Sequence, residues 1–421
     1  MKTFNIILSV SLCFVGLCGS EVTAKSNDDA KHMGTAGASI VMARNSDAPF
    51  YNPANLGLPR ANNWGFTLFT LSATASNSSF SKNDYDKYNG AYLSENDKND
   101  ILGKITGDGI TVTSSTSAQV LSLVYKTFAL TFTGTGGARV VAPKDVIELA
   151  LNGNLEGREY SAEEAAGHGL GTVAIGFSGA LPLNISRFKA CAVGATIKYH
   201  YGIGYSELTK TDISTITQKS QSTAEGLAEV IVGAPGGSGI SFDLGFAADI
   251  NDKWCVSVAW SDVVSTISFQ GDSEKRLYSF FVDSLTVMSF EDEDIDSVFN
   301  YEELVDEGYS FTTHIPSELR IGGGYRLEKL TIMATYSQGF SRTGTVSSNP
   351  SFAAGVEYRP WKLLHLRTGL GFGGVNGFRS AWGLSFNPGP VRLDLAFQNI
   401  GGVLPAQSRG MAAGVGLRFE W

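Results

Sequence analysis

Cysteine is scarce in this chain: there are four in 421 residues, and two of them, Cys13 and Cys18, fall within the first twenty. The remaining two, Cys191 and Cys255, make neither a disulfide framework nor a metal cluster. Their positions in the strand pattern described below point them to opposite faces, so they read as small packing residues. Charge is sparse as well, at 17% of residues, against about 25% in an average soluble domain. Cations are outnumbered, with 32 Lys+Arg against 41 Asp+Glu and a net charge of −9. That balance excludes the basic surface of a general nucleic-acid binder. Mean hydropathy is 0.00, and no later segment reads as a membrane helix, which takes about 20 apolar residues. The longest uncharged candidate, 169–186, is rich in Gly, Ser and Thr and contains Pro182. The five histidines (His32, His168, His200, His314 and His365) show no ligand spacing. Nucleophile elbows, phosphate loops and dinucleotide fingerprints are all missing. Neither an enzyme nor a bound cofactor is expected.

The N-terminus carries an export signal. Lys2 precedes an apolar run over 4–15, and Val22-Thr23-Ala24 places small residues at a cleavage site after Ala24. Residues 1–24 therefore read as a signal peptide. Leu17 before Cys18 argues against lipidation there, because a small residue belongs at that position.

Most of the remaining chain alternates with period two. At the C-terminus Met411, Ala413, Val415, Leu417, Phe419 and Trp421 form an apolar face, while Ala412, Gly414, Gly416, Arg418 and Glu420 form a small or charged one. The segments 391–398 and 240–249 repeat the pattern. One lipid-compatible face and one polar face suit a transmembrane β-barrel, although a soluble sandwich alternates too. Loop lengths decide between them. Fourteen strands, a count good to about two, are predicted near 64–76, 111–125, 127–141, 168–181, 187–205, 238–250, 253–270, 317–326, 329–340, 350–359, 362–373, 378–387, 389–399 and 410–421. Short turns alternate with longer connections, of which 77–110, 142–167, 206–237 and 271–316 are the longest. That sorting by parity is the habit of outer-membrane barrels. An even strand number leaves both termini in the periplasm, and 206–237 and 275–290 have room for further strands beyond the membrane. Trp254, Tyr325, Tyr358, Trp361, Phe386 and Trp421 lie beside the short turns or the C-terminus, where amphipathic rings form an interfacial belt. Tyr325-Arg326-x-x-Lys329-Leu330 recurs as Tyr358-Arg359-x-x-Lys362-Leu363, each across a turn.

Before the first strand, residues 33–58 read MGTAGASIVMARNSDAPFYNPANLGL. The Gly/Ala-rich stretch leading to Asn52-Pro53-Ala54 resembles the N-terminal hatch of the long-chain fatty-acid channel (FadL-like) family. It is equally similar to the outer-membrane shuttle of the type IX secretion system. From Ile315 to Trp421 the chain also resembles that wider superfamily. The resemblance implies an outer-membrane barrel over 64–421 with a hatch, residues 25–63, inside its lumen. Small residues let a non-helical segment pack in a lumen, Pro53 fixes a turn, and the Asn52 amide is suited to capping otherwise unpaired backbone groups.

In the last seven strands the inward face would carry Glu318, Arg320, Arg326, Glu357, Arg359, His365, Arg367, Arg379, Arg392, Asp394, Arg418 and Glu420. Arginines exceed carboxylates there by seven to four. The favoured reading is a ladder of cross-strand ion pairs. The other is a lumen that grips the hatch and guides polar solutes. In the acidic run 291–307, Asp292, Asp294, Asp296 and Glu303 have the 1, 3, 5, 12 spacing of a calcium loop, but Ser297 stands where the turn needs Gly. A solvated outer loop sharing divalent ions with lipopolysaccharide is the default.

The expected function is passive transport of small hydrophobic or amphipathic molecules across the outer membrane of a Gram-negative-type bacterium. A docking or shuttle role for secreted or surface proteins, or a structural surface barrel, is the alternative. The partners this implies are outer-membrane lipid and lipopolysaccharide, the barrel-assembly machinery, and a hydrophobic small molecule or a secreted protein. Phe419 and Trp421 form the C-terminal assembly signal. Removing Trp421 is expected to slow assembly, visible in pulse-chase gels as delayed appearance of the heat-modifiable form.

Overall fold

The computed structural model describes residues 29–60, 63–107, 109–218, 221–285, 299–340 and 348–420. The predicted signal peptide, Trp421, and the Asp292, Asp294 and Asp296 positions lie outside the described residues.

Fourteen strands close into one antiparallel barrel. They are β1 Trp64–Asn77, β2 Gly109–Tyr125, β3 Phe128–Pro143, β4 Ala166–Leu183, β5 Ala190–Gln218, β6 Gly237–Asp249 and β7 Trp254–Phe269. They continue as β8 Glu318–Arg326, β9 Leu330–Gly339, β10 Ser351–Trp361, β11 Leu364–Gly373, β12 Arg379–Phe386, β13 Val391–Ile400 and β14 Gly410–Glu420. Each pairs with the next, and β14 returns to β1 in register from Gly65↔Glu420 to Ser76↔Gly410. Closure leaves the wall without an open edge, so every backbone polar group across the membrane finds a partner in the wall.

The alternation sorts the side chains as the sequence demands. Leu71, Leu123, Ile175, Leu244, Ile332, Leu370 and Leu395 stand exposed on the outer face, whereas their inward neighbours such as Ser72, Ser122, Ala174, Asp243, Thr331 and Asp394 are buried. At the short-turn end Trp254 packs on Tyr325 at 4.7 Å and Trp64 on Tyr125 at 4.4 Å between ring centres, and Tyr358, Trp361 and Phe386 are exposed beside them. Cys191 and Cys255 are buried free thiols.

Two long connections are strand rather than loop. β5 runs thirteen residues past the expected end at 205. It pairs with Gln221–Gly233, which pairs with Glu274–Leu285, which pairs in turn with Phe299–Glu307. These strands stand as a blade above the barrel at the long-loop end. The other two long connections hold helices that the period-two reading passes over. Lys82–Tyr88 and Glu95–Lys104 each start with a Ser/Asp capping box, and they pack with Lys144–Asn152 around Tyr88, Ile101, Ile105, Ile147 and Leu151.

A closed wall of this kind predicts slow gel migration only after boiling. A protein that migrates identically with and without heating would not be this barrel.

Candidate functional site

The N-terminal segment lies against the inner face. Its short helical turns Ala30–Met33, Ser39–Met42, Ala48–Tyr51 and Pro53–Gly57 are almost entirely buried. Ile40, Val41, Phe50 and Tyr51 cluster with Cys255, Ala259, Met333 and Ala353 of the wall. At several of its closest contacts with the segment the wall carries glycine. A β-carbon on Gly194 would overlap the backbone of Pro53 and Ala54, one on Gly322 would overlap Ile40, and one on Gly369 would overlap the backbone of Thr35. The Gly322-Gly323-Gly324 run is thus partly explained: Gly322 and Gly324 face the segment, and Gly323 faces open space.

Asn52, Pro53 and Ala54 sit together where β5, β6 and β7 meet. Asn52 is fully buried. Its Nδ2 donates to the carbonyl oxygens of Phe246 and Val258 at 2.9 and 3.1 Å and to Oγ of Ser257 at 2.6 Å. Its Oδ1 accepts from the Ala54 N–H at 2.9 Å. One amide therefore ties two strands of the wall to the turn that Pro53 begins.

Across the lumen, the predicted charges Glu357, Arg367 and Asp394 come together on β10, β11 and β13. Arg367 donates to Glu357 at 2.7 Å and to Asp394 at 3.2 Å. Asp394 then meets Arg418 of β14 at 2.9 Å, and Ser385 donates to the same carboxylate. Arg418 reaches into the N-terminal segment, where it pairs with Asp29 and, at 2.8 Å, with Asp47. Lys31 closes the chain on Asp47 at 2.8 Å, and Arg359 closes the other end on Glu357 at 2.7 Å. Four cations thus face four carboxylates. Buried charges persist only when paired and hydrogen-bonded in this way.

His365 approaches Glu357 at 3.9 Å, and the charges described next stay outside this network. Glu318 and Arg320 pair with each other at 2.7 Å along one strand, not across strands, and Arg392 pairs with Glu420 at 3.1 Å. Arg326 pairs with Asp249 of β6 at 2.9 Å, a carboxylate that Arg44 of the segment also approaches at 3.4 Å. Part of the arginine surplus in the last seven strands is met from elsewhere: Arg418 by Asp29 and Asp47 of the segment, and Arg326 by Asp249. Glu303 lies on the blade, exposed, with Arg276 at 3.6 Å. Phe419 follows Arg418 with opposite facing and approaches Phe66 at 6.0 Å between ring centres. Among the described residues no group of three His, Cys, Asp or Glu is placed to hold a metal ion.

Three features escape the sequence reading. Asp29, Lys31 and Asp47 are ordinary surface residues by local pattern. On the wall above Asn52, Lys198 bridges Asp243 and Asp262 at 2.8 and 2.9 Å, and Ser241 joins Asp262 to His200. These lie at a β-bulge where Asp262 has φ +47°, a strained turn of the backbone that Asp tolerates better than most residues. Their signal was available as charges on the inward face of β5 and β6. Last, at the long-loop end Leu170, Tyr205, Ile267 and Phe269 turn inward and pack with Phe311. Between these groups the inner faces of β1 to β4 carry hydroxyls and small residues, and a cavity of about 540 Å³ lies at this sector against Ser72, Ser117, Gly134, Gly136, Gly171 and Thr172.

The central network makes a graded prediction. Arg418→Met leaves Asp29, Asp47 and Asp394 facing one another and should cost about 3–5 kcal/mol. Arg392→Met breaks a half-exposed pair and should cost under about 1 kcal/mol. Denaturant titration followed by the heat-modifiable gel band would show equal losses if the network had no special role.

No curated protein matches this sequence. Among solved structures it is similar to a Pseudomonas aeruginosa FadL homologue, with 11% identity, a TM-score of 0.50, and coverage of 95% of this chain and 100% of that one. It is similar to the CymD monoaromatic hydrocarbon channel, with 12% identity, a TM-score of 0.50, and 93% and 97% coverage. It is also similar to a TodX monoaromatic hydrocarbon channel mutant, deltaS2S3, with 12% identity, a TM-score of 0.53, and 94% and 99% coverage. At such identities the likeness shows a shared fold, the barrel of those channels. The family model described as a family of unknown function, DUF5723, matches residues 53–397. With that match spanning most of its length, the chain belongs to the DUF5723 family.

Proposed function

We propose that this protein is a passive outer-membrane channel for small hydrophobic or amphipathic molecules, with the N-terminal segment as its hatch. The observation that carries this reading is the inward apolar cluster of Leu170, Tyr205, Ile267 and Phe269 at the long-loop mouth. These side chains are packed on one another and nearly fully buried, so they make the mouth a packed apolar constriction, where a lumen for ions or sugars would need a polar one. Below the cluster the hydroxyl-lined sector offers room for a small solute. At the short-turn end the hatch blocks straight passage, held by Asn52 on one side and by Arg418 on the other. The names of the similar structures, hydrocarbon channels among them, support the same class of solute.

Two measurements on the protein in liposomes test the reading. Uptake of a small lipophilic aromatic dye is expected to exceed that of protein-free liposomes, and Phe269→Ser should slow it. Deleting residues 25–63 should raise single-channel conductance. That deletion is best combined with Arg418→Met, because it removes Asp29 and Asp47 and would otherwise leave Arg418 with a single carboxylate. The gentler change Asn52→Ala removes the amide donors shared among Phe246, Ser257 and Val258 and the acceptor for the Ala54 N–H, should loosen the hatch by about 1–3 kcal/mol, and should raise the frequency of brief openings. Unchanged conductance in the correctly inserted deletion variant would show that the segment is not a hatch.

A further inference from the structure

The barrel wall has no free edge, but the blade above it does. Among the described residues, Phe299–Glu307 pairs on one side only, with Glu274–Leu285, in unbroken register from Glu274↔Glu307 to Val282↔Phe299. The opposite edge of the blade, on β5, is covered by Glu159–Ser161. An open strand presents a row of N–H and C=O groups to any extended chain. Proteins usually blunt such edges with charged side chains, above all Lys, or with Pro, a bulge or shortness. The strand FNYEELVDE has no Lys, Pro or bulge; its charges are all carboxylates, which repel a like strand and admit a cationic one, and every residue from Asn300 to Glu307 is exposed.

We propose that the Phe299–Glu307 edge is a docking site that takes up an extended cationic peptide segment of a partner protein by strand addition. The charge pattern selects the occupant. Glu302, Glu303, Asp306 and Glu307 give the strand four carboxylates and no cation of its own. The nearby Arg276 serves Glu303 and also Glu274, which it meets at 2.6 Å. A second copy of this strand laid alongside would place like charges opposite one another, which destabilises strand pairs. Lys or Arg on the incoming strand would instead find carboxylates at cross-strand distance and be steered to them. Tyr301 and Val305 on one face and Leu304 on the other are exposed between the acidic positions. The strand thus reads acidic pair, apolar pair, acidic pair, and the fitting segment carries basic and apolar residues in successive pairs, so that each face matches. Main-chain bonds supply affinity in this mode, and the alternating side chains supply specificity.

The test uses the full-length barrel in detergent or nanodiscs and a labelled peptide of Lys-Lys-Val-Val repeats, about ten residues long to match the strand. Fluorescence anisotropy is expected to show saturable binding that weakens as salt rises. The triple variant E302K/D306K/E307K should bind this peptide roughly tenfold more weakly and prefer a peptide of Glu-Glu-Val-Val repeats. Its folding is checked by the heat-modifiable gel band. Two further peptides, N-methylated at one or the other alternate set of amides, separate strand addition from simple charge attraction. One of them should lose binding roughly tenfold while the other keeps it. Absence of saturable binding, unchanged binding by the triple variant, or equal binding of both methylated peptides and the parent would each overturn the proposal.

Discussion

The buried guanidinium of Arg418 is the interaction on which the interior depends. A lone cation in that position would be prohibitively expensive, so its three carboxylates, Asp29, Asp47 and Asp394, are as necessary to the fold as the strand that carries it. Two of those carboxylates belong to the N-terminal segment. The barrel thus requires the segment electrostatically even though the hydrogen bonds of its wall are complete without it. The dependence runs both ways, since Asp29 relies on Arg418 and Asp47 on Arg418 and Lys31.

Around that anchor the contacts divide by type. On the β10 to β14 side the segment is held by charge, where misplacement is costly. On the β5 to β7 side it is held by the Asn52 amide, by one ion pair of Arg44 with Asp249, by apolar packing on Ala192, Ala247, Cys255 and Ala259, and by close backbone approach at Gly194 and Gly245, where a β-carbon would overlap Ala54 and Asn52. A glycine socket fixes position without adding attraction of its own, and the hydrogen bonds of one amide and a single ion pair are few enough to yield without disturbing the network opposite. The same asymmetry gives the proposed hatch a fixed side and a releasable one.

Above the segment the interior changes from charged to hydroxyl-lined to apolar toward the long-loop mouth. The Lys198, Asp243 and Asp262 group marks the charged level, and Phe269 with Tyr205 marks the apolar one. The blade of β5 and its partners stands outside this interior and offers its acidic edge to the surroundings.

Local pattern determined the wall. Period-two alternation, turns sorted by length and aromatics beside the short turns are properties of neighbouring residues. They yield fourteen strands, their faces and the interfacial ring without any knowledge of long-range contacts. The Asn52-Pro53-Ala54 motif likewise stood out, as did the surplus of inward arginine. Only the tertiary structure decided what those arginines meet. Arg418 and Asp29 are 389 residues apart in the chain, and neither periodicity nor spacing encodes a partner at that distance. The length of β5 was misread for a related reason: beyond the membrane neither face of a strand must be apolar, so the alternation that betrays a strand in lipid fades while backbone pairing continues. Signals imposed by the bilayer are written residue by residue along the chain, whereas the interior is settled by which segments closure of the barrel brings face to face.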